Sequence, residues 1–259
     1  MTHDLQFTIQ QLLPYINWVY FYHTWGIKEE SASELRNEAD TVLRQWADEG
    51  RHANFRVSLL PANSDGEDIV ITSSYEGGWN GIIPLLRQQH PPYLCLSDFL
   101  PPAGMEPQTI GIFASSVPFA VQGLLEQTLA DRLAEAAAEL GHQHTRRKLW
   151  GYAPDEDLTP QELFAERYQG KRPAVGYPSL PDQSLIFVLA DILDFKDMGI
   201  TLTETGAMIP HASTAGLMLS HPKAQHFSIG TIGQDQLQQY AQRRGVPVGE
   251  IRPFIKVKY

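Results

Sequence analysis

Apolar residues recur at helical spacing between Ser33 and Glu49. Leu35, Ala39, Val42 and Trp46 share one face, Ser31 or Ser33 is placed to cap the start, and Gly50 stops it. Arg56–Leu60 and Asp68–Thr72 read as strands. The connection between them carries Pro61, Asn63 and Gly66, so the pair is expected to form an antiparallel hairpin. Glu76 to Gly81 reads as a loop, and Ile110–Ala114 as a third strand. The longest helical pattern runs from Gln122 to Leu149, with Leu125, Leu129, Leu133, Ala136 and Leu140 as its buried stripe. Gly141 inside it is expected to weaken the helix by ~1 kcal/mol relative to Ala. Thr159-Pro160-Gln161-Glu162 is a capping box with Pro at the first helical position, and the helix it opens extends to Tyr168. Asp182 caps a helix from Leu185 to Phe195. Ile200–Thr203 and Phe227–Ile232 read as strands, and Gln234–Arg244 as a last helix closed by Gly245. Strands and helices do not alternate as βαβ units. The expected class is α+β, one domain over 1–259 with a twisted, mostly antiparallel sheet flanked by helices.

Charge narrows the partners. Twenty Lys and Arg against 30 Asp and Glu give a net charge of −10 over 259 residues. Gripping a phosphate backbone needs clustered cations, and Arg146-Arg147-Lys148 is the only cluster. Nucleic acid and anionic membrane are therefore not expected partners. No apolar run of about 18 residues occurs, so no membrane span is expected. Cys95 is the one cysteine and cannot form an internal disulfide, which suits a reducing compartment. Met1 to Gln11 has neither the basic region nor the apolar core of a secretory signal. The expected location is the cytoplasm.

Motif chemistry is sparse. No G-x-G-x-x-G follows a strand, no Walker loop occurs, and there is no cysteine pair to hold zinc. His142 and His144 are two apart on a helix and face different ways. His211, His221 and His226 read as solvated or core-edge histidines rather than ligands. No metal site is expected. One segment stands apart: Gly170-Lys171-Arg172-Pro173-Ala174-Val175-Gly176-Tyr177-Pro178-Ser179-Leu180-Pro181. Its prolines make it stiff and incompatible with a helix. Arg172 offers a fork for a carboxylate, and the Gly176-Tyr177 step offers close backbone approach beside an aromatic face. Such a strap suits a zwitterionic small molecule bearing a heterocycle. It equally suits a proline-rich loop that only covers the core.

Arg172-Pro173-Ala174-Val175-Gly176-Tyr177-Pro178 resembles the R-P-A-P-G-Y-P signature of the activation domain of cobalamin-dependent methionine synthase. Further segments resemble that family in order: Asn17-Trp18 and Thr24-Trp25, Leu60-Pro61-Ala62-Asn63, Leu86-Arg87-Gln88-Gln89 and Cys95-Leu96-Ser97-Asp98-Phe99. Ala130-Asp131-Arg132-Leu133-Ala134-Glu135-Ala136, Trp150-Gly151-Tyr152-Ala153-Pro154 and Ser220-His221-Pro222 continue the likeness toward the C-terminus.

The resemblance implies a definite task. In that enzyme the activation domain binds S-adenosylmethionine and packs over the corrin. With an electron from a flavodoxin-type donor, an oxidised cobalamin is remethylated. By resemblance, Arg172 takes the ligand carboxylate, and the backbone of Ala174 and Gly176 meets the adenine edge. Tyr177 lies near the reacting methyl group, Glu135 meets a cationic or hydroxyl group, and Ala207–Ser213 touches the corrin. Asn17 and His226 stand where the family has a ligand-contacting Asp and Tyr, and Gln183 stands where it has His. These departures fall at or near the site while the scaffold motifs persist. The cobalamin would be held by a partner chain, a separate methionine synthase, because no cobalamin module is recognisable here. The alternative expectation is a docking or shielding protein for a corrinoid methyltransferase, with weak or no S-adenosylmethionine binding.

Overall fold

The computed structural model describes residues 1–72 and 78–255. It opens with a strand that the hydropathy pattern does not single out, β1 (Thr2–Thr8). Thr8 then starts the short α1 (Ile9–Leu12) through a capping box with Gln11. Asn17 caps α2 (Trp18–Thr24), its side chain accepting from Tyr20 N–H. Helix α3 (Ser33–Asp48) buries Ala39, Leu43 and Trp46, with Leu35 and Val42 partly covered. Its cap differs from expectation. Neither Ser31 nor Ser33 caps it, because a 3₁₀ turn at Glu29–Ser31 delivers the chain with Ala32 at the N-cap. Gly50 follows the helix at φ 70°, the left-handed exit expected of it.

The predicted hairpin forms, but its turn is shorter and later. Strand β2 (His52–Asp65) runs straight through Pro61 and Asn63. The chain reverses at Gly66-Glu67, with Gly66 at φ 58°, before β3 (Asp68–Ile71) pairs Asp68 with Asp65. Pro61 has no N–H to give, but it lies just past the last β3 pair, Ala62 with Ile71, and its carbonyl accepts from Thr72 N–H. Of the predicted loop, Glu76 and Gly77 lie outside the described residues, and Gly81 begins β4 (Gly81–Pro84).

Strand β5 (Gln108–Ser116) takes the other edge of β2. Asn54 pairs with both Gln6 and Ser116, and Ala62 with both Ile71 and Gln108. Strands β1 and β3 therefore follow one another along the same edge of β2.

Helix α4 (Gly123–His144) buries Leu129, Leu133 and Ala136, while Leu125 and Leu140 are only partly covered. It gives way to a π-turn over Thr145–Leu149 instead of continuing to Leu149. There Thr145 Oγ1 bonds back to the Gly141 carbonyl and Arg146 is drawn inward to Glu156. Gly141 is more than a weak helix former. A Cβ there would sit 2.5 Å from the Phe55 ring, so the glycine lets α4 lie against β2.

The capping box at Thr159 opens α5 (Pro160–Phe164), which ends well before Tyr168 because Glu166 turns the chain at φ 52°. Asp182 steadies the start of α6 (Leu185–Leu193) by accepting from Ser184 N–H and Oγ–H, at 2.8 and 2.7 Å. Asp194 at φ 49° stops this helix short of Phe195. A small ribbon, β6 (Thr201–Leu202) with β7 (Met208–Ile209), precedes β8 (Ser213–Met218) on the far edge of β5. Phe227–Ile232 is not a strand. Gly230 breaks the extended run at φ 74°, and Ile229 and Ile232 turn inward onto Leu237 and Tyr240. The chain closes with α7 (Gln234–Arg244), ended by Gly245 at φ 67°, and α8 (Val248–Ile251).

The six-stranded sheet has the path β4-β3-β2-β5-β8, with β1 also on β2, and every pairing is antiparallel. Adjacent residues serve opposite faces, as strand geometry demands. Ile112 packs with α6, Phe113 with α3 and α4. Among the described residues no helix is long and apolar enough to cross a membrane.

Candidate functional site

The strap that stood apart in the sequence is an added edge to the sheet. Lys171 and Leu219 exchange two backbone hydrogen bonds at 2.9 Å each, Leu217 N–H reaches Pro173 O at 2.9 Å, and Val175 N–H reaches Ala215 O at 2.9 Å. Its backbone is thus largely satisfied by β8 rather than left open, which its proline content did not suggest. Close approach requires Gly216, where a Cβ would fall 2.2 Å from Pro173 O. Midway along the strap the chain turns tightly at Gly176, φ 88°, whose N–H donates to Leu180 O at 2.9 Å.

Between strap, α2, α4 and the α5 turn lies a cavity of about 410 Å³. Asn17, Glu135, Arg172, Ala174, Tyr177 and His226 all line it. Gly176 does not, and its N–H is already engaged. The cavity therefore gathers residues from four distant parts of the chain that only the resemblance had linked.

Arg172 is largely buried in the wall, its side chain 13% exposed. Its Nη2 donates to Glu139 Oε2 at 2.9 Å, its Nη1 lies 4.0 Å from Glu135 Oε2, and its Nε has no partner. Burial works against this charge, but Glu139, Tyr168 and Glu135 outweigh it and hold the guanidinium above its ordinary value. Glu135 thus faces Arg172 and the cavity. Tyr177 is 47% exposed, and the charge of Glu135, followed by burial, raises its phenol above the usual range. Asn17 has its side-chain oxygen engaged in capping α2.

His226 Nε2 lies 3.1 Å from Glu166 Oε1, and Lys171 Nζ lies 3.1 Å from Glu166 Oε2. The hydrogen bond from His226, opposed by burial and supported by Lys171, lowers Glu166 to about 2. Gln183 lies elsewhere, its amide donating to Gly206 O at 3.2 Å. In the Ala207–Ser213 segment, His211 is exposed and its Nδ1 lies 3.3 Å from Asp131 Oδ1.

Several wall residues escaped the sequence reading: Tyr15, Tyr20, Arg132, Glu139, Glu166 and Tyr168. Glu139 carried a usable signal, since it lies one helical turn beyond Glu135 on the same face. The wall sets the carboxylates of Glu135, Glu139 and Glu166 against the guanidiniums of Arg132 and Arg172. Among the described residues, no cluster of His, Cys, Asp and Glu could hold a metal ion.

Fold and cavity together define an α+β domain with a curled antiparallel sheet and a preformed polar cavity of small-molecule size. A family model for the vitamin B12-dependent methionine synthase activation domain matches residues 8–245, and the chain belongs to that family. It is also similar to a solved structure described as the MetH reactivation domain bound to AdoHcy. The TM-score is 0.90 and the identity 31%, over 100% of this chain and 91% of that one.

Proposed function

We propose that this chain binds S-adenosylmethionine in the 410 Å³ cavity and supports reductive remethylation of cobalamin on a separate methionine synthase in the cytoplasm. The convergence of Asn17, Glu135, Arg172, Ala174, Tyr177 and His226 on that one cavity carries the reading. The similar MetH domain, described as bound to AdoHcy, supports it. The charges suit the ligand. S-adenosylmethionine has a carboxylate, an ammonium and a sulfonium, and the wall offers both carboxylates and guanidiniums to receive them.

In this reading Arg172 takes the carboxylate as a charge-assisted pair, and Glu135 takes a cationic or hydroxyl group. The backbone at Ala174 meets the adenine edge, while Gly176, outside the lining and with its N–H given to Leu180 O, shapes the turn beside it. Tyr177, at the exposed rim, shields the methyl-bearing end from water, and with Ala207–Ser213 it forms the face offered to the partner. Cobalamin, held by that partner, supplies the methyl-accepting centre, and a flavodoxin-type protein the electron. This chain contributes binding and orientation.

One observation favours the docking-protein alternative. Arg172 already pairs with Glu139, Asn17 caps its own helix, and His226 engages Glu166. A ligand must compete with each contact. Replacing a charged family Asp by Asn17 also removes ~1 kcal/mol of ligand attraction. Calorimetry with S-adenosylmethionine decides. Binding by the parent, strengthened in Asn17→Asp/His226→Tyr, supports methyl delivery. No binding at millimolar ligand by either protein leaves the docking reading.

A further inference from the structure

The sequence holds one cluster of cations, Arg146-Arg147-Lys148, and none of the three lines the ligand cavity. The π-turn over Thr145–Leu149 splits it. Arg146 goes inward to Glu156, whereas Arg147 and Lys148 are exposed and have no hydrogen-bond or ion-pair partner among the described residues. His144 and His3 are half-buried beside them. Burial, then the charges of Lys148 and His3, lower His144 below its ordinary value, so the three side chains lie close together. The fold gains nothing from gathering like charges without a counter-ion, because they repel one another. In a chain of net charge −10, so local a basic face is the complement of carboxylates on another molecule. Two outward charges and two histidines are too few to track a phosphate backbone or an anionic bilayer, which takes many cations along one face.

The face lies at the C-terminal end of α4. The Ala207–Ser213 segment meets the same helix near its other end, where His211 lies against Asp131, roughly 20 Å along the axis from His144. The α4 residues that line the cavity, Arg132, Glu135 and Glu139, fall between the two. Arg147 also adjoins the cavity through Tyr15, a wall residue. Burial raises the Tyr15 phenol above its ordinary value, the charge of Arg147 opposes this, and that of Glu139 adds to it. A partner that touches both ends of α4 therefore spans the cavity, as the chain carrying the methyl-accepting centre must.

We infer that Arg147 and Lys148, with His144 and His3, form an anchoring surface for an acidic segment of the cobalamin-bearing partner. This rests on the methionine synthase reading above and deepens it. The anchor is separate from the ligand cavity, so it holds the partner whether or not S-adenosylmethionine is bound.

The experiment measures association of the full chain with the organism's own cobalamin-bearing methionine synthase by analytical ultracentrifugation, at low and at high salt. The parent is expected to associate, and more weakly as salt rises. Arg147→Glu/Lys148→Glu is expected to weaken association about tenfold or more at low salt. Lys196→Glu/Lys223→Glu makes the same change in net charge at two exposed lysines without a partner among the described residues, and is expected to match the parent. Equal loss in both double variants, or no loss in either, overturns the inference. Arg147→Gln/Lys148→Gln, which removes the charges without reversing them, keeps the test should the reversed variant fail to fold. A labelled polyglutamate peptide is the second probe, expected to bind the parent and to be lost with Arg147 and Lys148; binding that survives their loss also overturns the inference. No association of the parent with methionine synthase, with the peptide still held, removes the partner reading and with it this occupant. Retention on phosphatidylserine vesicles without association with either probe overturns the inference in favour of a membrane.

Discussion

Gly216→Ala tests how the sheet edge holds the site. Gly216 is paired with Phe113 of β5 on one side and approached by the strap on the other. The new methyl group would lie 2.2 Å from Pro173 O, 2.7 Å from Ala174 Cα and 3.0 Å from Pro173 C. All three are backbone atoms, so no side-chain rotation relieves them. If the strap stays, the overpacking costs ~1–3 kcal/mol. If it retreats by roughly an ångström to ordinary contact, the bonds from Leu217 N–H to Pro173 O and from Val175 N–H to Ala215 O are lost. Each is worth ~1 kcal/mol. Either route predicts a loss of about 1–3 kcal/mol, a substantial part of a typical domain's stability. Urea denaturation reads it as a lower midpoint with an unchanged slope. Because Arg172 rides on the strap, calorimetry should show weaker S-adenosylmethionine binding in the same variant. Gly249→Ala, in the short α8 where a Cβ meets nothing within 4 Å, is the control and should be neutral or stabilising by up to ~1 kcal/mol. A Gly216→Ala midpoint equal to that of the control would refute the reasoning.

Gly141→Ala should lower the melting temperature, since crowding the Phe55 ring at ~1–3 kcal/mol exceeds the ~1 kcal/mol gained in helix propensity; a higher melting temperature would show that the ring yields. Glu156→Ala should cost about 3–5 kcal/mol in chemical denaturation, because Arg146 is fully buried and Glu156 is its counter-ion, at 2.7 Å. Glu166, lowered to about 2, contributes stability that is present above the ordinary carboxylate value and is lost as pH falls toward 2. Glu166→Gln should therefore flatten the acid limb of the stability–pH curve, and an unchanged limb would count against the His226–Glu166 contact.

Local signals read well where the physics is local. The Thr159 capping box, the glycine exits at Gly50 and Gly245, and the α4 stripe through Leu129 and Leu133 all appear where the pattern puts them. Strands β1 and β8 escaped for opposite reasons. Most of β1 is exposed or half-buried, while β8 is buried along almost its whole length. β1 offers few apolar residues, and Gly216 interrupts β8, so neither shows the alternation that marks a half-buried strand. Phe227–Ile232 has strand-like residues, yet Gly230 and the pull of the α7 cluster win. At the site, family likeness singled out Asn17, Glu135, the strap and His226, but likeness does not reveal contacts. The Arg172–Glu139 bond joins residues 33 apart, and nothing in the spacing of two charges says which will meet.

The cavity wall is assembled from α2, α4, the strap and the loop at His226. A molecule touching all four acts as a reversible cross-link between segments as distant in sequence as Asn17 and His226. It can leave when any one wall swings away, so its residence time is governed by the least stable segment rather than by global unfolding. Helix α2 has only seven residues and meets the cavity through its cap residue Asn17 and the exposed Tyr20, so a bound molecule adds contacts to a short helix. Ligand should slow amide exchange most in α2, far more than in the central strands β2 and β5, whose protection the sheet already supplies.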